Sequence, residues 1–299
     1  MSDKRVILLY GRTRSGKSTQ LGELSKFVEA RTGKKSLVYS VDKGGIGPIR
    51  PFINLGLIDL VLIEDSDPWI FMNKAAKGQV RGKDGKWIPA DLSKYGMIGF
   101  ESLTGFSDLF MNDLANKSAQ NINIGGQANV SFVVSDAQES MKIGGSNMGH
   151  YNVVQTRILD EFWRSQKLNV PYILWTASAT RDEDPNSSGK VIGPAVAGKA
   201  LTSELPRHCD LCFRIDCVPA QGGKPERHIL YMGNSVDLAA GNATSLGNTR
   251  VPLGAPPIPA TIEPASLVQA IELIEKAEQE AEKVIMKERE ANKGKLKAM

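Results

Sequence analysis

Residues 11–18 have the types and the spacing of a phosphate-binding loop. The segment reads Gly-Arg-Thr-Arg-Ser-Gly-Lys-Ser and matches G-x-x-x-x-G-K-[ST] at every fixed position. Glycines let the backbone N–H groups of such a loop surround phosphate oxygens, while Lys17 reaches the β- and γ-phosphates and Ser18 offers its hydroxyl to Mg²⁺. The alternative is a chance match in a glycine-rich turn. We expect a nucleoside triphosphate and Mg²⁺ to bind here, with these contacts: Gly11, Arg12, Thr13, Arg14, Ser15, Gly16, Lys17, Ser18 and Thr19.

Acidic residues at the ends of apolar runs are candidates for metal binding and catalysis. Glu101 follows the run 97–100, and a carboxylate there can hold the water shell of Mg²⁺, with Ser18 as the other ligand. Asp42 follows a second run, and a carboxylate there can orient an attacking water. Glu64 and Asp65 have an equivalent position after the run 57–63, so the residues alone leave this choice open. An exposed strand-end side chain is the alternative interpretation of Glu101.

Strands that alternate with helices must position these residues. A helical period runs through residues 19–30 and ends at Gly33, and another runs through 153–162. The phosphate loop therefore lies between a strand and a helix, which its geometry requires. The alternation predicts an α/β fold with a mostly parallel central sheet. Continuous apolar runs, typical of buried strands, lie at 6–10, 36–41, 57–63, 96–100, 171–176, 211–217 and 228–232.

Three further segments define the expected domain organisation. Residues 78–89 contain Asp84-Gly85 between short arms and predict a surface hairpin inserted into a core that spans residues 1–250. Prolines crowd residues 251–264 and predict a stiff linker. Residues 265–299 predict a charged, amphipathic C-terminal helix that packs on its own domain or forms a solvated tail, with a partner-binding helix as the alternative. Its apolar stripe consists of Leu267, Ile271, Ile274, Ala281 and Ile285.

Composition and charge narrow the class of protein. Of 299 residues, 41% are hydrophobic and 23% are charged, which excludes a fibrous or wholly disordered chain. The net charge of +4 permits a basic groove for nucleic acid without demonstrating one. No apolar run is long enough for a signal peptide or a membrane span, so we expect a cytoplasmic protein without a membrane.

The cysteines predict neither a disulfide framework nor a zinc site. Their number, three, is odd, which favours a reducing compartment. Cys209, Cys212 and Cys217 lie near His208, but no second C-x-x-C pair is present to complete a tetrahedral zinc site. We therefore expect buried thiols that pack as small apolar groups.

The order of these motifs resembles that of the RecA-like ATPases over about residues 5–235. Asp42 stands where that family has its catalytic glutamate, and Phe100-Glu101-Ser102 is similar to its metal-binding strand end. Residues 144–149 and 198–201 are similar to the ends of its two DNA-binding loops. Residues 193–202 look most like the phage-encoded single-strand-annealing subgroup.

This resemblance implies a RecA-like P-loop NTPase core with ATP and Mg²⁺ as cofactors and with DNA-stimulated ATP hydrolysis. Lys17, Asp42 and Glu101 are then the catalytic residues, and Thr176 and Ser178 stand nearest to the position of the family's sensor. The implied partners are single-stranded DNA, further copies of the chain in a ring or filament, and a single-strand-binding or recombination protein. The process would be recombination or annealing, in the host cytoplasm if the chain is phage-encoded.

Two long glycine-rich segments, 135–149 and 181–199, are the expected DNA-binding loops, since cations along a groove bind a single-stranded backbone. Two solvated loops without a special role are the alternative. Arg50 is a candidate for stacking on a purine base, with an exposed surface arginine as its alternative. The candidate DNA contacts are Lys142, Asn147, Met148, Arg181, Lys190 and Lys199.

Departures from the family pattern keep other functions open. Asp42 is one methylene shorter than the family's glutamate and Glu101 one longer than its aspartate, which predicts slow hydrolysis or a somewhat different metal geometry. One alternative is a P-loop DNA motor, either a helicase or a packaging ATPase. A second is a nucleotide-gated DNA-binding module with negligible hydrolysis, and a third is a small-molecule kinase.

Overall fold

A computed structural model gives the fold, and it describes residues 4–42, 46–63, 67–119, 148–183, 190–220, 225–233, 235–237, 243–245, 247–249, 251–252 and 254–297. The helices are α1 (Lys17–Thr32), α2 (Ile46–Asn54), α3 (Pro68–Ala76), α4 (Leu103–Ala119), α5 (Met148–Ser165), α6 (Lys199–Glu204) and α7 (Leu267–Lys297). The first strands are β1 (Arg5–Gly11), β2 (Lys35–Ser40), β3 (Ile58–Leu62), β4 (Gln79–Arg81), β5 (Trp87–Pro89), β6 (Tyr95–Glu101) and β7 (Tyr172–Glu183). The remaining strands are β8 (Lys190–Pro194), β9 (Leu211–Val218), β10 (Arg227–Tyr231), β11 (Ser235–Asp237), β12 (Ala243–Ser245), β13 (Asn248–Thr249) and β14 (Thr261–Ile262).

The central sheet has the strand order β3-β2-β6-β7-β1-β9-β10-β14. Its first six strands pair in parallel, and β10 and β14 each run antiparallel to the preceding strand in that order. The expected α/β fold with a mostly parallel sheet is thereby confirmed. Parallel pairing requires a crossover between successive strands, which is why helices separate most of them along the chain.

Helices cover both faces of this sheet. Along β1, Leu8 and Tyr10 pack with residues of α3, α4 and α5 on one face. Ile7 and Leu9 point to the opposite face and pack with residues of α1, α2 and α7. Because both faces are covered, β1 has no polar alternation, and its continuous apolar run is the pattern expected of a central parallel strand.

Local signals explain where α1 ends and where α3 begins. The helical periodicity of the sequence predicts α1 but does not predict α2 or α3. α1 ends where Gly33 adopts a left-handed conformation (φ 68°) and its N–H donates to Glu29 O. α3 starts at Pro68, and the Asp67 side chain accepts from Trp69 N, which is the arrangement of an N-cap. α2 contains Pro51, so its pattern does not indicate a helix.

Two hairpins extend from the core. β4 and β5 pair antiparallel from Gln79↔Pro89 to Arg81↔Trp87, within the segment 78–89. The expected loop 181–199 is largely a second hairpin, because β7 continues to Glu183 and pairs antiparallel with β8. Its register runs from Ala179↔Pro194 to Glu183↔Lys190, with residues 184–189 outside the described part of the chain.

The C-terminal segments join the core. Within the proline-rich stretch, β14 pairs with β10 and so forms an edge of the sheet. Leu267, Ile271 and Ile274 of α7 are buried against the face that α1 covers. Ile285, expected in the same stripe, is 43% exposed, so the distal part of α7 leaves that face. Over its first turns the helix therefore packs on the core, and it is not a solvated tail there.

None of the helices in the described part of the chain combines the length and the apolar character that crossing a membrane requires.

Candidate functional site

The predicted site residues meet at the carboxyl edge of the parallel strands. In an open α/β sheet this edge forms the crevice in which ligands bind. The phosphate loop follows β1, Asp42 lies just beyond β2, and Glu101 is the last residue of β6. Thr176 in β7 pairs with Leu9 of β1 near the same edge. Topology therefore brings together residues that are far apart in the sequence.

The backbone of the loop is sharply curved at positions that require small or left-handed residues. A Cβ atom on Gly11 would lie 2.1 Å from Ile215 O of the neighbouring strand β9, so this position accepts only glycine. Arg14 (φ 65°) and Gly16 (φ 99°) are left-handed. Left-handed residues alternating with right-handed ones turn successive amides toward one concave side, which forms an anion-binding nest.

Lys17 folds back over the loop that precedes it. Its Nζ donates to Gly11 O and to Arg12 O, both at 2.9 Å. Burial lowers the pKa of Lys17, and the nearby carboxylates of Glu101 and Asp42 oppose that shift. The ammonium group therefore lies beside the first residues of the loop, where it can exchange carbonyl partners for phosphate oxygens.

The start of α1 is open toward the loop. Gly16 is the N-cap residue and has no side chain to accept from the first amides of the helix. The positive end of the helix dipole therefore faces the loop. Ser15 is fully buried, and its Oγ has no hydrogen-bond partner among the described residues. Unsatisfied donors at this position favour an anionic ligand.

A chain of hydrogen bonds joins α1, β6 and β7 beneath the loop. Ser18 Oγ donates to Glu101 Oε1 at 2.8 Å, and Thr176 Oγ1 donates to Glu101 Oε2 at 2.8 Å. Burial raises the pKa of Glu101, with Asp42 acting in the same direction, whereas both hydrogen bonds and Lys17 oppose the shift. The Ser18 hydroxyl and the Glu101 carboxylate are oxygen donors of the kind that Mg²⁺ prefers, so these two residues fit the predicted metal site.

Asp42 lies at the exposed side of the same site. Its backbone N–H donates to Ser40 Oγ at 3.2 Å, which fixes the turn after β2. Its charge opposes the lowering of the Lys17 pKa and adds to the raising of the Glu101 pKa, so Asp42 interacts electrostatically with both groups. Because the residue is exposed, solvent water can reach it. The alternatives Glu64 and Asp65 lie outside the described residues.

The two sensor candidates have different surroundings. Thr176 donates directly to the buried acid, as described above. Ser178 pairs with Gly11 in the register of β7 and β1, and its N–H donates to Thr104 Oγ1 at 2.8 Å. Thr104 in turn donates to Ala195 O at 2.7 Å. Ser178 therefore lies at the base of the β7–β8 hairpin, whereas Thr176 contacts Glu101.

The remaining nucleotide-binding candidates lie at the outside of the site. Thr13 and Thr19 are exposed, and Arg50 is exposed on α2. The guanidinium of Arg12 is also exposed, with Nε 3.9 Å from Asp216 Oδ1.

The structure places only some of the candidate DNA contacts. Lys142 and Asn147 lie outside the described residues. Arg181 and Lys190 belong to the two strands of the β7–β8 hairpin, which brings them onto one element. Met148 and Lys199 are the first residues of α5 and α6.

His228 contacts the loop although the sequence analysis does not identify it. Its Nδ1 lies 3.0 Å from Ser15 O, and its Nε2 lies 3.0 Å from Glu226 Oε1. Sequence patterns predict a strand at 228–232 but not its pairing with β9, so nothing local indicates this contact.

The cysteines follow the expected pattern in part. Cys209 and Cys212 are buried, and burial raises the pKa of Cys212. Cys217 is more exposed and lies beside Glu226 and His228.

No protein-family model matches this chain, and no curated protein matches it.

Proposed function

We propose that this chain is a RecA-like P-loop ATPase that binds ATP with Mg²⁺ and acts on single-stranded DNA. One observation carries the proposal. In the strand–loop–helix turn at residues 11–18, the Lys17 ammonium group donates to the loop backbone, and the Ser18 hydroxyl donates a hydrogen bond to the strand-end acid Glu101. These are the parts that a triphosphate site requires, and they lie at the ligand-binding edge of the sheet.

Each residue has a distinct chemical task in this proposal. The loop amides and the α1 N-terminus surround the β-phosphate, and Lys17 neutralises charge on the β- and γ-phosphates. Ser18 and Glu101 would hold Mg²⁺, which supplies charge neutralisation to the phosphoryl oxygens when bound. Thr176 keeps the Glu101 carboxylate oriented toward Ser18 through its hydrogen bond.

Asp42 is the proposed residue for orienting the attacking water. It lies beyond β2, where solvent can reach it, and it interacts electrostatically with Lys17 and Glu101. A positioned base of this kind contributes about 10²–10⁴-fold to a rate. The shorter reach of aspartate, compared with the glutamate of the family it resembles, supports slow turnover.

The DNA part of the proposal is supported by the resemblance described above and by the β7–β8 hairpin. β7 carries the sensor candidate Thr176 at the site and Arg181 in the hairpin, so a single strand joins the two regions. DNA is proposed as the ligand of the β7–β8 hairpin because of the resemblance to the RecA-like ATPases, and not because of the local charge.

Calorimetric titration of the full chain with ATP and Mg²⁺ tests the nucleotide part. Replacing Lys17 with alanine removes the ammonium group, and we expect the heat of binding to disappear while circular dichroism stays unchanged. Lys26→Ala is the matched control, because Lys26 is exposed on the same helix. Wild-type affinity in the Lys17→Ala variant would contradict the proposed site.

ATP turnover with and without single-stranded DNA tests the rest. Stimulation by DNA that disappears in Asp42→Ala is the expected result. Binding without turnover supports the nucleotide-gated module, and directional unwinding of a duplex supports a motor. Phosphoryl transfer to a nucleoside without any effect of DNA supports a kinase.

A further inference from the structure

Three potential metal ligands lie together where β9 ends and β10 begins. The Sγ of Cys217, a carboxylate oxygen of Glu226 and a ring nitrogen of His228 all lie within 4.8 Å of one another. Cys217 and His228 are direct partners in the antiparallel register. Glu226 is the residue just before β10, and its Oε1 lies 3.0 Å from His228 Nε2.

The three ligand atoms lie near enough to one another to converge on one ion. Zinc bonds of about 2.0–2.3 Å place neighbouring ligand atoms roughly 3.4–3.6 Å apart. The atoms of the cluster lie within 4.8 Å of one another, so the side chains must rotate to close around an ion. Because Glu226 and His228 are partly exposed, an ion can enter from solvent, and water can occupy the fourth position.

The ring of His228 is already oriented as a metal ligand. Its Nδ1 lies 3.0 Å from Ser15 O, and a carbonyl oxygen can only accept, so Nδ1 carries a proton. A histidine that binds a metal usually donates its other ring N–H to a carbonyl or carboxylate in this way. Its Nε2 lies 3.0 Å from a carboxylate oxygen of Glu226, so a proton or a metal ion must lie between these two atoms.

We propose that Cys217, Glu226 and His228 bind a divalent ion of the zinc class, and that the bound ion holds the phosphate loop through His228. On binding, the ion displaces two protons to solvent, the one on the Cys217 thiol and the one shared by His228 Nε2 and Glu226. The thiolate sulfur, the imidazole nitrogen and a carboxylate oxygen then donate electron pairs to the ion. Thiolate and imidazole select zinc-like ions over Mg²⁺. This site therefore differs chemically from the pair Ser18 and Glu101.

The bound ion restrains the imidazole and, through it, Ser15 O in the loop. The metal site itself does not depend on the proposed ATPase function, whereas its effect on the nucleotide does. If the ion favours the loop conformation that binds nucleotide, the nucleotide must favour ion binding by the same factor.

Zinc binding to the full chain, without nucleotide, tests the site. Competition with a chromophoric chelator should show one tightly bound Zn²⁺, and Co²⁺ should give a thiolate-to-metal charge-transfer band. Cys217→Ser and His228→Gln should each weaken Zn²⁺ binding at least tenfold, and Cys217→Ser should abolish the band. His208→Gln is the matched control, since His208 also pairs with a glutamate, Glu204, at 3.3 Å. Equal affinity in all four proteins, or no tight Zn²⁺ in the wild type, overturns the proposal.

Hydrogen exchange of the loop amides tests the connection to the loop. Zn²⁺ should slow exchange at residues 12–17 in the wild type but not in Cys217→Ser. Unchanged exchange in a wild type that binds Zn²⁺ overturns the connection. Neither the zinc titration nor the hydrogen-exchange measurement uses ATP. Calorimetry with ATP and Mg²⁺ tests the proposed ATPase function separately, so failure of one proposal is distinguishable from failure of the other.

Discussion

Burial of the Glu101 carboxylate should make the stability of the free protein depend on pH. Burial raises the pKa of Glu101, so the folded chain retains a proton that the unfolded chain has already released. The contribution of this group to the free energy of unfolding is fully present below its usual pKa of 4.5. That contribution is lost as the pH rises through the raised pKa of the folded state.

Glu101→Gln should therefore stabilise the free protein near neutral pH while weakening binding of ATP with Mg²⁺. The amide avoids the cost of burying a charge, which we expect to add about 1 kcal/mol to the free energy of unfolding. Urea unfolding of both proteins from pH 4 to pH 8 measures the effect. The stability difference should be small at the acidic end and grow with pH. A difference that stays constant over this range would contradict the assigned burial effect.

The Thr176 hydroxyl should contribute to stability because it satisfies the buried acid. Thr176→Val keeps the shape of the side chain and leaves Glu101 Oε2 without its 2.8 Å donor. We expect a loss of about 1–3 kcal/mol in the free energy of unfolding, measured by denaturant titration.

Thr202→Val is the control for that change. Thr202 is equally buried, but its Oγ1 has no hydrogen-bond partner in the described part of the chain. Removing this hydroxyl should be neutral or stabilising. Equal losses in the two valine variants would show that the bond to Glu101 has no special value.

At the scale of elements, the close approach of β1 and β9 depends on Gly11. A methyl group at this position would lie 2.1 Å from Ile215 O, a backbone atom that cannot move without breaking the sheet. Gly11→Ala should therefore reduce the free energy of unfolding by more than about 2 kcal/mol. Thermal unfolding followed by circular dichroism measures this loss.

Gly47→Ala provides the comparison. Gly47 lies in helix α2, and no described atom lies within 4 Å of the place where its Cβ would be. Alanine is the better helix former, so this variant should be unchanged or slightly more stable. If Gly11→Ala were as stable as Gly47→Ala, the close approach of β1 and β9 at Gly11 would not be required for stability.

Elements with local signals could be predicted from the sequence. β1, the loop and α1 follow one another, and each has its own signal: an apolar run, a fixed motif and a helical period that ends at Gly33. The acid Glu101 could be placed because a parallel strand ends there. The helix α2 could not be predicted, because Pro51 and the short length of the helix obscure the helical pattern.

Contacts that depend on strand pairing could not be predicted. His228 reaches Ser15 only because β9 lies between β1 and β10 in the sheet. Similarly, the pairing of residues 179–183 with 190–194 depends on register, so a segment rich in glycine and polar residues was expected to be a loop.

At the scale of the whole molecule, the first turns of α7 belong to the core. Ile271 is buried against the sheet face that α1 covers, and Glu275 pairs with Arg31 at 2.8 Å. Ile271→Ala should lower the free energy of unfolding by about 2–5 kcal/mol, because it creates a cavity. Denaturant titration with fluorescence detection measures the change.

Ile285→Ala tests the distal part of the same helix. Ile285 is 43% exposed, so its truncation should cost less than about 1 kcal/mol. Similar losses for both variants would indicate that the whole helix packs equally.

The length of β7 has a mechanical consequence. From Thr176 to Glu183 the strand spans roughly 23 Å without a break, and it pairs first with β1 and then with β8. An extended backbone changes little in length, so a displacement of β7 at Thr176 is carried along the strand to the β7–β8 hairpin. If the proposed nucleotide displaces Thr176 when it binds, the hairpin is the element that moves with it.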